Sequence, residues 1–85
     1  MRLDLVLKQT CLIKRRTVAK TIVENGKVSI NGKVAKPSTD VRDGDILLLK
    51  LGPREIEVKI TYIKKYNKDF PTYEELSTKK VNVDA

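Results

Sequence analysis

The sequence predicts an α+β domain in which two N-terminal helices pack on a small, bent antiparallel sheet. Apolar residues recur at helical spacing up to residue 25, and the period then changes to two. The chain has 85 residues, and a chain of that size buries only about 60 to 65% of its unfolded surface, which allows a single core. We expect one domain over residues 1–63. The periodic pattern fades from residue 64, so residues 64–85 are predicted to form a partly mobile C-terminal extension.

Two apolar stripes predict the helices. The first stripe indicates a helix over residues 2–9 and consists of Leu3, Val6 and Leu7. The second indicates a helix over residues 15–25 and consists of Val18, Ala19, Ile22 and Val23. Gly26 follows where a left-handed C-terminal cap is expected.

Alternating apolar residues and turn signals predict about four short strands after Gly26. The Asn31-Gly32 pair tolerates the positive φ angles of a type I′ turn, so it is expected to join strands at residues 28–30 and 33–35. Two further strands are predicted over residues 46–50 and 55–63. Further on, the Thr72 to Glu75 segment fits a capping box that starts one helical turn.

The net positive charge of the chain lies in its first part. Lys and Arg number 18 against 11 Asp and Glu, a net charge of +7. Residues 1–36 hold nine basic and two acidic side chains, whereas residues 37–85 hold nine of each. A basic excess concentrated in this way predicts a polyanionic partner.

The chain lacks the residues of the common catalytic and metal sites. It has no His and a single Cys, so the commonest general base, the commonest zinc ligand and an internal disulfide are all excluded. Asp40, Asp43 and Asp45 sit beside Gly44 at turn spacing, where backbone hydrogen bonding explains them. We expect no catalytic residue, no metal and no cofactor.

The remaining sequence signals predict a cytoplasmic protein. No apolar stretch has the length of a secretory signal or a membrane span, so no membrane partner is expected. Cys11 is interpreted as a small buried hydrophobe in a reducing compartment.

Three cations at the start of the second helix, Lys14, Arg15 and Arg16, are the sharpest functional signal. Cations there oppose the helix dipole, at a cost of about 0.3–1 kcal/mol each, whereas a phosphate would be attracted by the dipole and the guanidinium groups together. Phosphate binding is therefore favoured over an accidental run of solvated charge. Thr17 either caps this helix or contacts RNA. The candidate RNA-binding residues of the chain are Arg2, Lys14, Arg15, Arg16, Thr17, Lys20, Lys33 and Lys36.

The distribution of aromatic residues favours structured RNA as the polyanion. Readers of flexible single strands stack bases on aromatic side chains, and residues 1–36 contain none. A reader of the DNA major groove needs a polar recognition helix, which the second helix does not resemble.

The order and spacing of several short motifs resemble the S4 RNA-binding domain family over about residues 1–50. The motifs are Arg2-Leu3-Asp4, Leu7, Arg16-Thr17, Ala19, Ile22, Gly26, Val28, Ile30-Asn31-Gly32, Lys33, Pro37-Ser38, Val41 and Gly44-Asp45. The resemblance implies an alpha-L motif, with RNA bound along the two helices and the start of the sheet. It also implies contacts from Arg2, Arg16 and Thr17, with Lys14, Arg15 and Lys20 beside them. The wider family often has Ser where this chain has Arg15.

Within that family the chain is similar to stand-alone members that act in ribosome-associated quality control. This similarity implies a non-enzymatic monomer in the cytoplasm, bound to ribosomes. The implied partners are large-subunit rRNA, peptidyl-tRNA and an RqcH-like protein that adds C-terminal alanine tails. One alternative is a large-subunit recycling factor similar to the fifteen-kilodalton heat-shock protein. The others are a subunit of a nucleic-acid-modifying enzyme and a protein-protein adaptor. The adaptor would use the C-terminal tail and the outer face of the sheet, which carries Glu55, Glu57 and Lys59.

Overall fold

The computed structural model describes residues 1–80, which form two helices and one five-stranded antiparallel sheet. The elements are α1 (Leu3–Gln9), α2 (Arg16–Glu24), β1 (Val28–Ile30), β2 (Lys33–Val34), β3 (Ile46–Leu51), β4 (Arg54–Lys65) and β5 (Lys68–Lys80). The strand order is β2-β1-β3-β4-β5. The predicted fold class is confirmed, and each helix ends within one residue of its predicted bounds.

The predicted apolar stripes form the core that joins the helices to the sheet. Apolar side chains of both helices pack there against strand residues, and those with no more than 1% exposure are Leu3, Val6, Leu7, Ala19, Val23, Val28, Val41, Leu47, Leu49, Val58 and Ile60. Burial of one large apolar side chain contributes about 1.5–3 kcal/mol. One member of the second stripe differs, because Val18 is exposed on α2.

The predicted turn between β1 and β2 has the expected geometry. Asn31 and Gly32 have φ angles of 50° and 86°, which a type I′ turn requires. The turn is also tied to β3, because the Asn31 N–H donates to the Ile46 carbonyl oxygen at 2.8 Å and the Ile46 N–H donates to Asn31 Oδ1 at 3.1 Å. This places the β1–β2 hairpin against the body of the sheet.

Replacement of Gly32 by Ala is expected to lower the free energy of unfolding by about 1 kcal/mol, because a Cβ disfavours a φ of 86°. A Cβ at Gly32 would meet no atom within 4 Å, so the loss reflects the backbone conformation and not a clash. Gly32→Asn is the matched control, since Asn tolerates positive φ and should lose less. Urea denaturation measures both, and equal losses would contradict the conformational explanation.

The long β4–β5 hairpin corrects the sequence prediction for the C-terminal region. The capping box at Thr72 is wrong, because Thr72 lies in β5 opposite Thr61 of β4. Two features explain why β5 was not predicted from the sequence. The connecting turn at Tyr66 and Asn67 contains no Gly although both φ angles are positive, and a bulge interrupts the pairing between Glu57 and Val58.

The division of the chain into residues 1–63 and 64–85 stays a prediction, as does the mobility of the extension. β4 continues across residue 63 to Lys65, and β5 pairs along it from residue 68 to residue 80. Residues 81–85 lie outside the described part of the chain. Within residues 1–80, neither helix is long and apolar enough to cross a membrane.

The prediction that Cys11 is a buried hydrophobe is wrong. Cys11 is an exposed free thiol with a φ angle of 62°, in the turn that ends α1. Its N–H donates to the Lys8 carbonyl oxygen at 3.1 Å, as a residue that closes a helix does. Ile13, two residues further on, is buried in the core instead.

Candidate nucleic-acid interface

A buried carboxylate joins the starts of the two helices. Asp4 lies in the first turn of α1, and its side chain is only 3% exposed. Its Oδ1 lies 3.3 Å from Arg2 Nε, and its Oδ2 lies 3.5 Å from Arg16 Nε. The two arginine side chains are half-exposed. One carboxylate therefore holds two guanidinium groups side by side at the surface.

The start of α1 is fixed by hydrogen bonds to the segment that follows β2. The Leu3 N–H donates to the Thr39 carbonyl oxygen at 2.8 Å, and the Asp4 N–H donates to the Pro37 carbonyl oxygen at 3.2 Å. Arg2 also forms a β-bridge with Asp40. These bonds satisfy N–H groups that have no partner within a helix, and they fix the backbone on both sides of the Asp4 carboxylate.

The start of α2 depends on Asp4 for its charge balance. The first turn of α2 contains no acidic residue, its N-cap residue Arg15 is also basic, and no side chain caps the helix. Because the N-terminal end of a helix carries partial positive charge, Arg16 is unfavourably placed with respect to its own helix. The carboxylate of Asp4 offsets this repulsion from the neighbouring helix.

The geometry leaves the outer part of each guanidinium group available. Asp4 contacts the Nε atoms of Arg2 and Arg16, and about half of each arginine side chain is exposed. Each guanidinium is a planar fork with five N–H donors, four of which are on its terminal amino groups. Two such forks can each bind a phosphate through paired N–H···O bonds.

Five of the eight predicted residues converge at this surface. A depression of about 270 Å³ is lined by Arg2, Asp4, Arg16, Thr17 and Lys20. A wider groove of about 630 Å³ lies between α2 and the end of β2, and its lining includes Arg2, Lys20 and Lys36 together with Val23, Val34 and Ala35. We call the residues Arg2, Arg16, Thr17, Lys20 and Lys36 the helix site.

The other three predicted residues line neither depression. Lys14, Arg15 and Lys33 are exposed, and their contact with RNA stays a prediction. The capping interpretation of Thr17 is wrong, because the N-cap of α2 is Arg15 and no side-chain cap is formed. The hydroxyl of Thr17 instead belongs to a side chain that lines the smaller depression.

Asp4 is a residue of this surface that was not among the predicted site residues. The sequence placed Asp4 off the apolar stripe of α1, which predicts an exposed side chain. A signal was present, since Asp4 follows Arg2 by two residues at a helix start, where a carboxylate interacts well with the dipole. Its second partner, Arg16, is reached only through the packing of α1 against α2.

The acidic residues of the turn before β3 have structural roles, as predicted. Asp43 accepts the Tyr62 N–H at 2.8 Å, and Asp45 accepts the Arg42 N–H at 2.8 Å. A hydrogen bond from the Met1 amino group and its positive charge lower the pKa of Asp40. Burial, followed by the charge of Asp40, raises the pKa of Tyr62. No group of three potential metal ligands occurs among the described residues.

Comparison with known families decides the relationship of this chain. The profile of the S4 domain matches residues 1–47, which is more than half of the sequence and includes both helices and the β1–β2 hairpin. The chain belongs to the S4 domain family. The family predicted from the Arg2-Leu3-Asp4 and Arg16-Thr17 motifs is therefore confirmed.

Relatives of this S4 domain share about half of its aligned residues. A protein of Listeria monocytogenes named RQC P-site tRNA stabilizing factor (RqcP) is 52% identical over 60 residues, which cover 71% of this chain and 65% of the relative. The Bacillus subtilis protein of the same name is 47% identical over 64 residues, 75% of this chain and 74% of the relative. The predicted similarity to quality-control members of the family is thus confirmed.

The S4 domain also resembles a solved structure along most of its length. Heat Shock Protein 15 of Vibrio cholerae, described as trimeric, superposes with a TM-score of 0.75 at 32% sequence identity. The match covers 91% of this chain and 82% of the other. Two helices on an antiparallel sheet are therefore the shared architecture.

Proposed function

We propose that this S4 domain is a non-enzymatic RNA-binding protein that docks on structured RNA of the large ribosomal subunit and contacts both rRNA and peptidyl-tRNA. The observation that carries the proposal is the pair of guanidinium groups of Arg2 and Arg16, held side by side by the buried Asp4. The names of the relatives supply the ribosomal context, since they refer to tRNA in the P site.

The helix site suits the backbone of a folded RNA. Lys20 lies one helical turn beyond Arg16, a distance of about 6 Å that is comparable to the spacing of phosphates along a strand. Lys36 continues the positive surface along the wider groove. Arginine forks fixed by Asp4 would bind phosphates in a defined register, and recognition would follow the shape of the RNA.

We further propose that the protein acts in ribosome-associated quality control in the cytoplasm, as a monomer. In this role it would stabilise tRNA on obstructed large subunits while an RqcH-like partner adds alanine to the nascent chain. Support comes from the 42–52% identity to several RQC P-site tRNA stabilizing factors. The helix site would supply contacts to the RNA, and the partner would supply the elongation activity.

Cosedimentation with purified large ribosomal subunits tests the proposal. The protein is expected to sediment with the subunits and to prefer those that carry peptidyl-tRNA over empty ones, because it contacts both RNAs. Protein that remains at the top of the gradient with both kinds of subunit would contradict the ribosomal function.

The structural similarity to Heat Shock Protein 15 favours one second candidate, a factor for large-subunit recycling. A recycling factor would use the same helix site, so Arg2 and Arg16 do not separate the two functions. Support of alanine tailing in a reconstituted reaction with an RqcH-like protein separates them. If alanine tailing is complete in a reaction without this protein, the recycling function would be favoured.

The salt dependence of RNA binding provides a separate prediction. If the protein neutralises about five phosphates, the logarithm of its affinity should fall with the logarithm of salt concentration at a slope of roughly −3.5 to −4.5. Titration of a fluorescent structured RNA at several KCl concentrations measures the slope. A flat response would favour a protein-protein adaptor, which binds without phosphate contacts.

A further inference from the structure

The end of the β4–β5 hairpin projects from the body of the sheet. β3 pairs with β4 only as far as Lys59, and the turn before β3 continues the contacts to Tyr62. Beyond Tyr62, the backbone of β4 bonds only to β5 within residues 1–80. The last three residues of β4 therefore extend roughly 10 Å past the body. We call residues 63–70 the hairpin tip.

The hairpin tip contains two features that lower stability and an aromatic ring that is almost fully exposed. Tyr66 is 95% exposed and has a φ angle of 52°, a left-handed conformation that costs a non-Gly residue about 1 kcal/mol or more. Lys65 and Lys68 are directly opposite each other, and like charges in that position repel. Ile63 and Phe70 form a half-exposed apolar pair next to them.

These features together match the chemistry of an unpaired nucleotide. Aromatic side chains stack on bases, while neighbouring lysines bind the phosphates on either side. The tip carries three lysines against one acidic residue, Asp69, which is opposite Lys64. A protein partner with acidic groups would satisfy the lysines, but it would not require a fully exposed aromatic ring at the turn.

The hairpin tip also shares a depression with the N-terminal residue of the chain. A depression of about 270 Å³ at the base of the tip is lined by Met1, Asp40, Val41, Tyr62 and Asp69. Met1 is adjacent in sequence to Arg2 of the helix site. Asp40 and Asp69 make this depression acidic, so a phosphate backbone that reached both positive regions would avoid it.

We propose that the hairpin tip is a second RNA-binding site, in which Tyr66 stacks on an unpaired base and Lys65 and Lys68 hold the adjacent phosphates. This inference rests on the proposed function, because it extends RNA binding beyond the helix site. It adds a specificity that the helix site lacks. The helix site follows the backbone of paired RNA, and the tip requires a base that is not paired.

The inference is tested with two RNA probes that have equal numbers of phosphates. One is a stem-loop with an unpaired loop, and the other is a blunt duplex. Tyr66→Ala is expected to lower affinity for the stem-loop about fivefold or more, because one stacked base is lost. Its affinity for the duplex should be unchanged. Tyr66→Phe should retain stem-loop affinity because its ring still stacks. Fluorescence anisotropy of labelled RNA measures all three proteins. Since Tyr66 is almost fully exposed, these variants should fold normally.

A tryptophan reporter and a lysine control complete the test. The sequence contains no Trp, so Tyr66→Trp places a single indole at the tip, and stacking should quench its emission when the stem-loop binds. Lys65→Ala should reduce stem-loop affinity more than Lys50→Ala, which removes an exposed lysine of β3. Unquenched emission together with equal stem-loop affinity for Tyr66→Ala and the original protein would overturn the tip site. If Arg16→Ala nevertheless lost binding, the helix site would still be supported. If the original protein bound no RNA, both the hairpin tip site and the proposed RNA-binding function would be overturned.

Discussion

Replacement of Asp4 by Asn is expected to weaken binding to structured RNA about tenfold, although it adds one unit to a net charge of +7. The carboxylate holds the guanidinium groups of Arg2 and Arg16 in place. Without its charge, both side chains must be ordered when RNA binds, at about 0.5–1.5 kcal/mol each. The two costs together are about 1–3 kcal/mol. The lower part of that range corresponds to roughly a tenfold loss, since about 1.4 kcal/mol changes an affinity tenfold.

The electrostatic effect of Asp4→Asn opposes the ordering effect, which makes the sign of the result informative. Removal of one negative charge beside the two arginines should slightly strengthen attraction to RNA. Glu74→Gln is the matched control, because it changes the net charge equally at an exposed position of β5 and touches neither arginine. We expect Glu74→Gln to bind RNA at least as well as the original protein. Stronger binding by Asp4→Asn would contradict the positioning role of Asp4.

Asp4→Asn should also lower the free energy of unfolding, because Asp4 is buried and shared by two charged partners. Hydrogen bonds to charged groups contribute about 1.5–3 kcal/mol, and Asn keeps an acceptor oxygen, so the expected loss lies at the lower end of that range. Urea denaturation measures this loss. RNA titrations should be carried out well below the temperature at which the variant unfolds.

Replacement of Arg16 by Ala is expected to produce the largest loss of RNA affinity from a single substitution, about ten- to a hundredfold. A charge-assisted contact between a guanidinium fork and a phosphate contributes about 1.5–3 kcal/mol. The salt slope should become shallower by about one unit, because one fewer phosphate is neutralised. The fold should persist, since Arg2 still pairs with Asp4 in the variant.

Two controls separate the fork of Arg16 from its charge. Arg16→Lys keeps the charge and loses the planar donor geometry, so its affinity should fall between those of Arg16→Ala and the original protein. Arg54→Ala removes an exposed arginine of β4 and should have little effect on affinity. Equal losses from Arg16→Ala and Arg54→Ala would show that only net charge matters, and they would contradict a helix site with defined geometry.

The simultaneous removal of Arg2 and Arg16 should not give the sum of the single effects. Both side chains contact the same carboxylate, so the two substitutions are energetically coupled. In the double variant Asp4 remains buried with neither of these partners, and a buried charge without a partner is strongly destabilising. We therefore expect the double variant to unfold more easily than either single variant.

Much of the fold follows from local patterns in the sequence. The helical stripes of α1 and α2 placed both helices, because apolar side chains at that spacing form one face that must be buried. The Asn31-Gly32 pair placed the first hairpin, because few other residues accept positive φ at two successive positions. β5 was not predicted because its turn is formed by Tyr66 and Asn67, a pair without the Gly that marks a type I′ turn.

The local sequence was enough to show that the net positive charge lies before residue 37 and that Arg2 and Arg16 stand at helix starts. These facts are local, so composition and spacing reveal them. The burial of Asp4 between those two arginines became visible only in the folded chain, because the contact joins α1 to α2. The tertiary structure likewise decided that Tyr66 projects with Lys65 and Lys68 at the end of a hairpin, because strand pairing depends on partners distant in the chain.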